Sequence, residues 1–149
     1  MTIGRSSPSG KALALSPALP GAGNPVEGSL AIAPPGLAAA ASATLVSYTE
    51  LDAKGGSYLV AAGLTLRSNN LVATGSVQIQ FTPPGGPAQV LNARAYSIPT
   101  SDTQFRLLPQ VVDLDGPGAL AVVVVNSGAN PLVIVESQGA IQPVQIETK

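Results

Sequence analysis

The chain has 149 residues, 45% of them hydrophobic, and a net charge of −1, which is enough for one domain with its own core and an additional arm. Only 10% of residues are charged, against about 25% in an ordinary globular protein; the Val, Ile and Thr frequent from residue 44 onward exclude disorder of the whole chain. The seven cations (Arg5, Lys11, Lys54, Arg67, Arg94, Arg106 and Lys149) are scattered, which excludes the basic stripe that nucleic-acid binding needs, and the absence of Cys and His excludes disulfides and most zinc, copper and iron sites.

Residues 1–42 carry Pro8, Pro17, Pro20, Pro25, Pro34 and Pro35, with Arg5, Lys11 and Glu27 as their charges. Proline fixes φ and removes a donor, so neither a long helix nor a central strand is expected here. The stretch reads as an extended N-terminal arm whose contacts come from another surface. Leu13, Leu15, Leu19 and Ile32 are its candidate partner-binding anchors. One short strand is expected over 29–33, and 37–43 stays unassigned. Pro17 and Pro20 interrupt the apolar start at 12–15, so no secretion signal is expected. No stretch approaches the ~20 apolar residues of a membrane span.

Residues 43–149 read as a β-sandwich domain. Residues 43–48 alternate, and a strand over 57–67 follows the Gly55-Gly56 turn. In 72–81, Val77, Ile79 and Phe81 face one way and Gln78 and Gln80 the other, the period of a half-buried strand. A Pro-rich loop at 83–87 leads to a strand over 88–96. The next strand, 103–114, is interrupted by Pro109 and followed by the Asp115-Gly116 turn. The apolar run 120–125 suits a strand buried on both sides. After the turn at 126–131, strands at 132–135 and 141–146 are expected, with Gln138-Gly139 between them. About eight strands with turns every 10–12 residues predict a sandwich or barrel.

Little in the chain suits chemistry. With no His, a Ser–His–Asp hydrolase is excluded, and Lys11, Lys54 and Lys149 sit in no recognisable nucleophile motif. The carboxylate pairs Glu50/Asp52 and Asp113/Asp115 have the i, i+2 spacing that puts both side chains on one strand face. Neither belongs to a calcium loop, and Asp115 before Gly116 reads as a turn former. Gly55-Gly56 and Gly85-Gly86 lack the spacing of a phosphate loop. Tyr58 and Tyr96 could stack on a sugar or base, but read more simply as packing residues with the hydroxyl at a rim. No enzyme activity and no cofactor are expected.

Gly56-Ser57-Tyr58-Leu59-Val60, followed by Gly63-Leu64-Thr65-Leu66, resembles the G-x-Y-x-V strand of C1q-like and tumour-necrosis-factor-like jelly rolls. The arrangement of 111–114, the 116–118 turn, the run 120–125, the 126–128 turn and the closing strand 141–146 is similar to that family as well. The resemblance covers about residues 43 to 147 and implies a jelly-roll-like sandwich that assembles as a homotrimer. The chain departs from the family in its aromatic content of 3%. Arm first and β-domain second is also similar to phage capsid decoration proteins. That likeness implies a cement protein on the virion surface that clamps neighbouring subunits of a major capsid protein. The alternative it leaves open is a C1q/TNF-like trimeric head, displayed on a surface, that recognises a receptor or glycan. A surface this poor in charge is weakly protected against association, which agrees with either.

Overall fold

The structure, a computed structural model, describes residues 13, 14 and 25–146. Its strands are β1 (Leu13–Ala14), β2 (Val26–Ser29), β3 (Ile32–Leu37), β4 (Ser42–Glu50), β5 (Gly56–Ser68), β6 (Ala73–Thr82), β7 (Gln89–Ile98), β8 (Thr103–Leu114), β9 (Gly118–Asn126) and β10 (Leu132–Ile146). No helix occurs among the described residues. All the strand pairings are antiparallel. One sheet runs β10-β5-β8, with β3, β2 and β1 paired in succession along the other side of β10; the second runs β4-β9-β6-β7. Strand orders 3-10-5-8 and 4-9-6-7 make an eight-stranded jelly roll, two sheets closed on one core. The expected all-β, jelly-roll-like sandwich is the observed fold.

Alternation builds the core. Along β5 the even-numbered residues from Tyr58 to Ser68 are buried and the odd-numbered ones half-buried. Val60 and Leu66 from β5, Val77 and Ile79 from β6, Leu120, Val122 and Val124 from β9, and Leu132 and Ile141 from β10 all have 0% exposure. Burying each such side chain contributes about 1.5–3 kcal/mol. The run 120–125 is less enclosed than its composition implies. Its inward residues are sealed, but the outward Ala121 and Val125 are half-buried, and Val123 retains 7% exposure.

Two polar anchors fix one end of the second sheet. Asn126, fully buried, donates from Nδ2 to the carbonyls of Leu37 and Asn130 (2.9 Å each) and of Ala38 (3.3 Å), and its Oδ1 accepts from Gly128 N. It thereby ties the end of β9 to the turn after β3. The Tyr96 hydroxyl donates to the Val125 carbonyl at 2.7 Å. Its ring leaves no room for a side chain at residue 75, where a Cβ would overlap both the hydroxyl and that carbonyl, so only glycine fits. Burial pushes the Tyr96 phenol well above its ordinary pKa.

Three sequence expectations are corrected. The strands expected at 132–135 and 141–146 are one strand, because Gln138-Gly139 pairs straight through with Ser29-Gly28 and Gly63-Ala62. Gly139 faces inward, where Leu45 and Val46 occupy the space a side chain would take. Pro109 does not interrupt β8. It sits in a bulge, where Leu108 and Pro109 oppose Ala61 on an edge strand, and edge strands tolerate a missing N–H. The single strand expected over 29–33 is two strands, β2 and β3, with Leu30 and Ala31 between them. The Ser137 hydroxyl closes that gap by accepting from Leu30 N (3.0 Å) and donating to Leu30 O (2.6 Å). In this chain 26–37 therefore lie along its own β10, and Leu37 joins the core.

Candidate assembly surfaces

The arm candidates separate. Ile32, half-buried, pairs with Ile134 and packs against the core of its own chain. Leu13 is in β1, where its backbone pairs with Ile146. Leu15 and Leu19 lie outside the described residues.

The carboxylates form no constellation. Asp52 lies beyond the end of β4 and Asp115 beyond the end of β8, so neither pair shares a strand face. Glu50 Oε2 accepts from Asp52 N and Asp52 Oδ1 accepts from Lys54 N, at 2.8 Å each, which is turn chemistry. Asp113 Oδ1 accepts from Ser57 Oγ at 2.5 Å. Among the described residues no group of three or more acidic side chains could hold a metal ion. Tyr58 is buried, with its ring 5.1 Å from that of Tyr48. The Tyr48 phenol is raised by its burial and by Glu50.

The outer face of β4-β9-β6-β7 has an order that the sequence does not announce. Registers place Ser47, Ala121, Gln80 and Val90 side by side in one row, Thr44, Val123, Gln78 and Ala93 in the next, and Ser42, Val125, Ser76 and Ala95 in the third. Each row reads polar, apolar, polar, apolar. No outward position of these strands carries a charge. Along β6 the polar side chains bond one another: Gln80 Nε2 donates to Gln78 Oε1 at 2.8 Å, and Gln78 Nε2 to Ser76 Oγ at 2.9 Å.

The outer face of the other sheet differs. Glu27, Glu136 and Arg106 border a depression of about 860 Å³ whose floor includes Ala61, Gly63 and Ala140. Arg67 lies on the same face and pairs with Asp102 at 3.2 Å. Phe105 is level with the inward Leu64 and packs edge-on to Tyr96, so its ring is turned from this face.

Between the sheets, the edge strands β7 and β8 face each other across the open side of the sandwich. Asn92 Nδ2 donates to Gln110 Oε1 at 2.5 Å. Arg94 donates to the Arg106 carbonyl while its guanidinium lies 4.9 Å from the Phe105 ring centroid. Leu91 (43% exposed), Leu108 (62%) and Val111 (42%) stand out along this edge.

No protein-family model matches the chain, and no curated protein matches it in sequence. Several solved structures align with parts of the chain. A structure of the infectious bursal disease virus Gx strain aligns at 14% identity over 93% of this chain and 39% of that one, with a TM-score of 0.47. The VP2 subviral particle of the same virus aligns at 15% over 85% and 34%, with a TM-score of 0.46. The N-terminal cellulose-binding domain of Cellulomonas fimi β-1,4-glucanase C aligns at 11% over 84% and 90%, with a TM-score of 0.39. The chain thus spans little more than a third of the viral chains' length, and these overlaps assign it no function.

Proposed function

We propose that the chain is a non-enzymatic structural virion protein. It is a capsid decoration or cement protein that sits on the capsid surface as a homotrimer and clamps neighbouring subunits of the major capsid protein. The observation that carries this reading is that the two edge strands β7 and β8 expose Leu91, Leu108 and Val111 on a charge-poor jelly roll. Large apolar side chains left exposed on edge strands suit a partner that covers them. A clamp that binds only the assembled shell stabilises it by mass action. Because the contact is apolar, it should depend little on salt.

The test adds the purified full chain to shells stripped of accessory proteins and follows co-sedimentation and shell melting. Retention with a raised melting point, similar at low and high salt, is the expected result. A chain that stays in solution at every salt concentration sinks the reading. The depression beside Arg106 favours a second reading, a surface-displayed C1q/TNF-like head that binds a receptor segment there. A glycan fits it less well, since its floor holds Ala61, Gly63 and Ala140 and the one aromatic ring beside it, that of Phe105, is packed edge-on against Tyr96.

A further inference from the structure

We propose that the outer face of β4-β9-β6-β7 is a self-association surface. It packs face to face against the same surface of a second copy, about a two-fold axis that runs along the strands between β9 and β6. This inference concerns a different surface from the β7–β8 edge and stands apart from the capsid reading.

Two copies of a face with no charge meet without like-charge repulsion and without burying an unpaired ion, the largest penalty an interface meets. The polar groups are also prepared for drying. Gln80, Gln78 and Ser76 already bond one another along β6, so covering them strips fewer free donors and acceptors of water than a face of unpaired amides would.

The pattern selects the occupant. An axis parallel to the strands reverses column order, so β4 of one copy meets β7 of the other and β9 meets β6, with heights unchanged. Gln80 then meets Ala121, Gln78 meets Val123, Thr44 meets Ala93 and Ser47 meets Val90, which follows from the row registers. In nearly every meeting a longer side chain faces a shorter one. An axis across the strands would instead set each column against itself, Gln against Gln and Ala against Ala. The alternation of columns is thus self-complementary in one orientation, as an isologous contact requires.

The size is adequate. Strands about 4.8 Å apart, with a rise of about 3.4 Å per residue, give a face of roughly 19 by 30 Å, or roughly 570 Å² in projection. Side-chain relief raises the accessible area above that figure, toward the roughly 800 Å² per partner of a standard interface. Aligned sandwich packing at about −30° keeps the central rows in register.

The experiment measures the mass of the full chain by sedimentation velocity over a concentration series, for wild type, Ala121→Lys, Gln80→Glu and an equimolar mixture of the two variants. Both substitutions point outward, and unchanged melting points check that each variant is folded. The expected wild-type mass is an even multiple of the chain at high concentration. It falls twofold in Ala121→Lys, whether the starting species is a dimer or a pair of trimers. It recovers in the mixture, where the ammonium introduced on one copy meets the carboxylate introduced on the other. A wild-type mass that is odd, or that neither variant changes, overturns the proposal. So does a variant that keeps its mass yet no longer binds shells, since the face would then belong to another partner.

Discussion

The two outer faces of this sandwich are made by the same backbone rule and carry opposite chemistry. On β10-β5-β8 and its neighbour β2, outward positions hold Glu27, Arg106 and Glu136 around a depression, and Arg67 farther along the same face. On β4-β9-β6-β7 the outward positions hold Ser, Thr, Gln, Ala and Val in alternate columns. The inner faces show no such contrast. The difference therefore lies only in every second residue of each strand, where folding demands little and association can be specified.

If so, inner substitutions should cost alike in both sheets. Gly75→Ala and Gly28→Ala each force a Cβ into a backbone carbonyl, of Val125 and Leu45 respectively. Each should lose about 3 kcal/mol of stability in urea unfolding. A large difference between them would contradict the equivalence of the inner layers. Tyr96→Phe, which removes the bond to the Val125 carbonyl, should cost about 1 kcal/mol.

The same tyrosine gives a pH test. Its phenol holds its proton more tightly folded than unfolded. Stability is therefore full below the unfolded value of about 10 and falls as pH rises beyond it. Tyr96→Phe should flatten that alkaline loss, and Tyr48, which is raised in the same direction, should contribute to what remains.

Outer substitutions separate the two faces. Thr44→Lys and Gln138→Lys should each change folding stability by no more than about 0.5 kcal/mol. Only Thr44→Lys should raise solubility at high concentration, read by light scattering. Smallest of all, Arg67→Ala breaks a half-exposed ion pair and should cost about 0.5 kcal/mol or less.

Much of the fold was legible because strands in half-buried sheets write their period into the sequence. Val77, Ile79 and Phe81 against Gln78 and Gln80 placed β6 directly. The errors arose where a tertiary neighbour overrode a local signal. Gly139 looked like a turn because its missing side chain is supplied by Leu45 and Val46 from the other sheet. Pro109 looked like a break because its bulge is permitted only by its edge position. The charge-free face was harder to find. Its signal was present in Thr74, Ser76, Gln78, Gln80 and Thr82 and in Ala119, Ala121, Val123 and Val125. It becomes a surface only once the registers set those two lists side by side.

β10 carries one more consequence. On one flank it receives β3, β2 and β1 and on the other β5, so four earlier strands wait for a partner that follows all of them in the chain. During synthesis those strands expose unpaired edges until Leu132 to Ile146 have emerged, and pairings this distant in sequence form slowly. In a crowd of copies, the β10 that reaches β2 and β3 first need not be their own. The order of synthesis therefore gives neighbouring chains a kinetic opportunity to exchange their N-terminal strands, with every hydrogen bond of the sheet conserved.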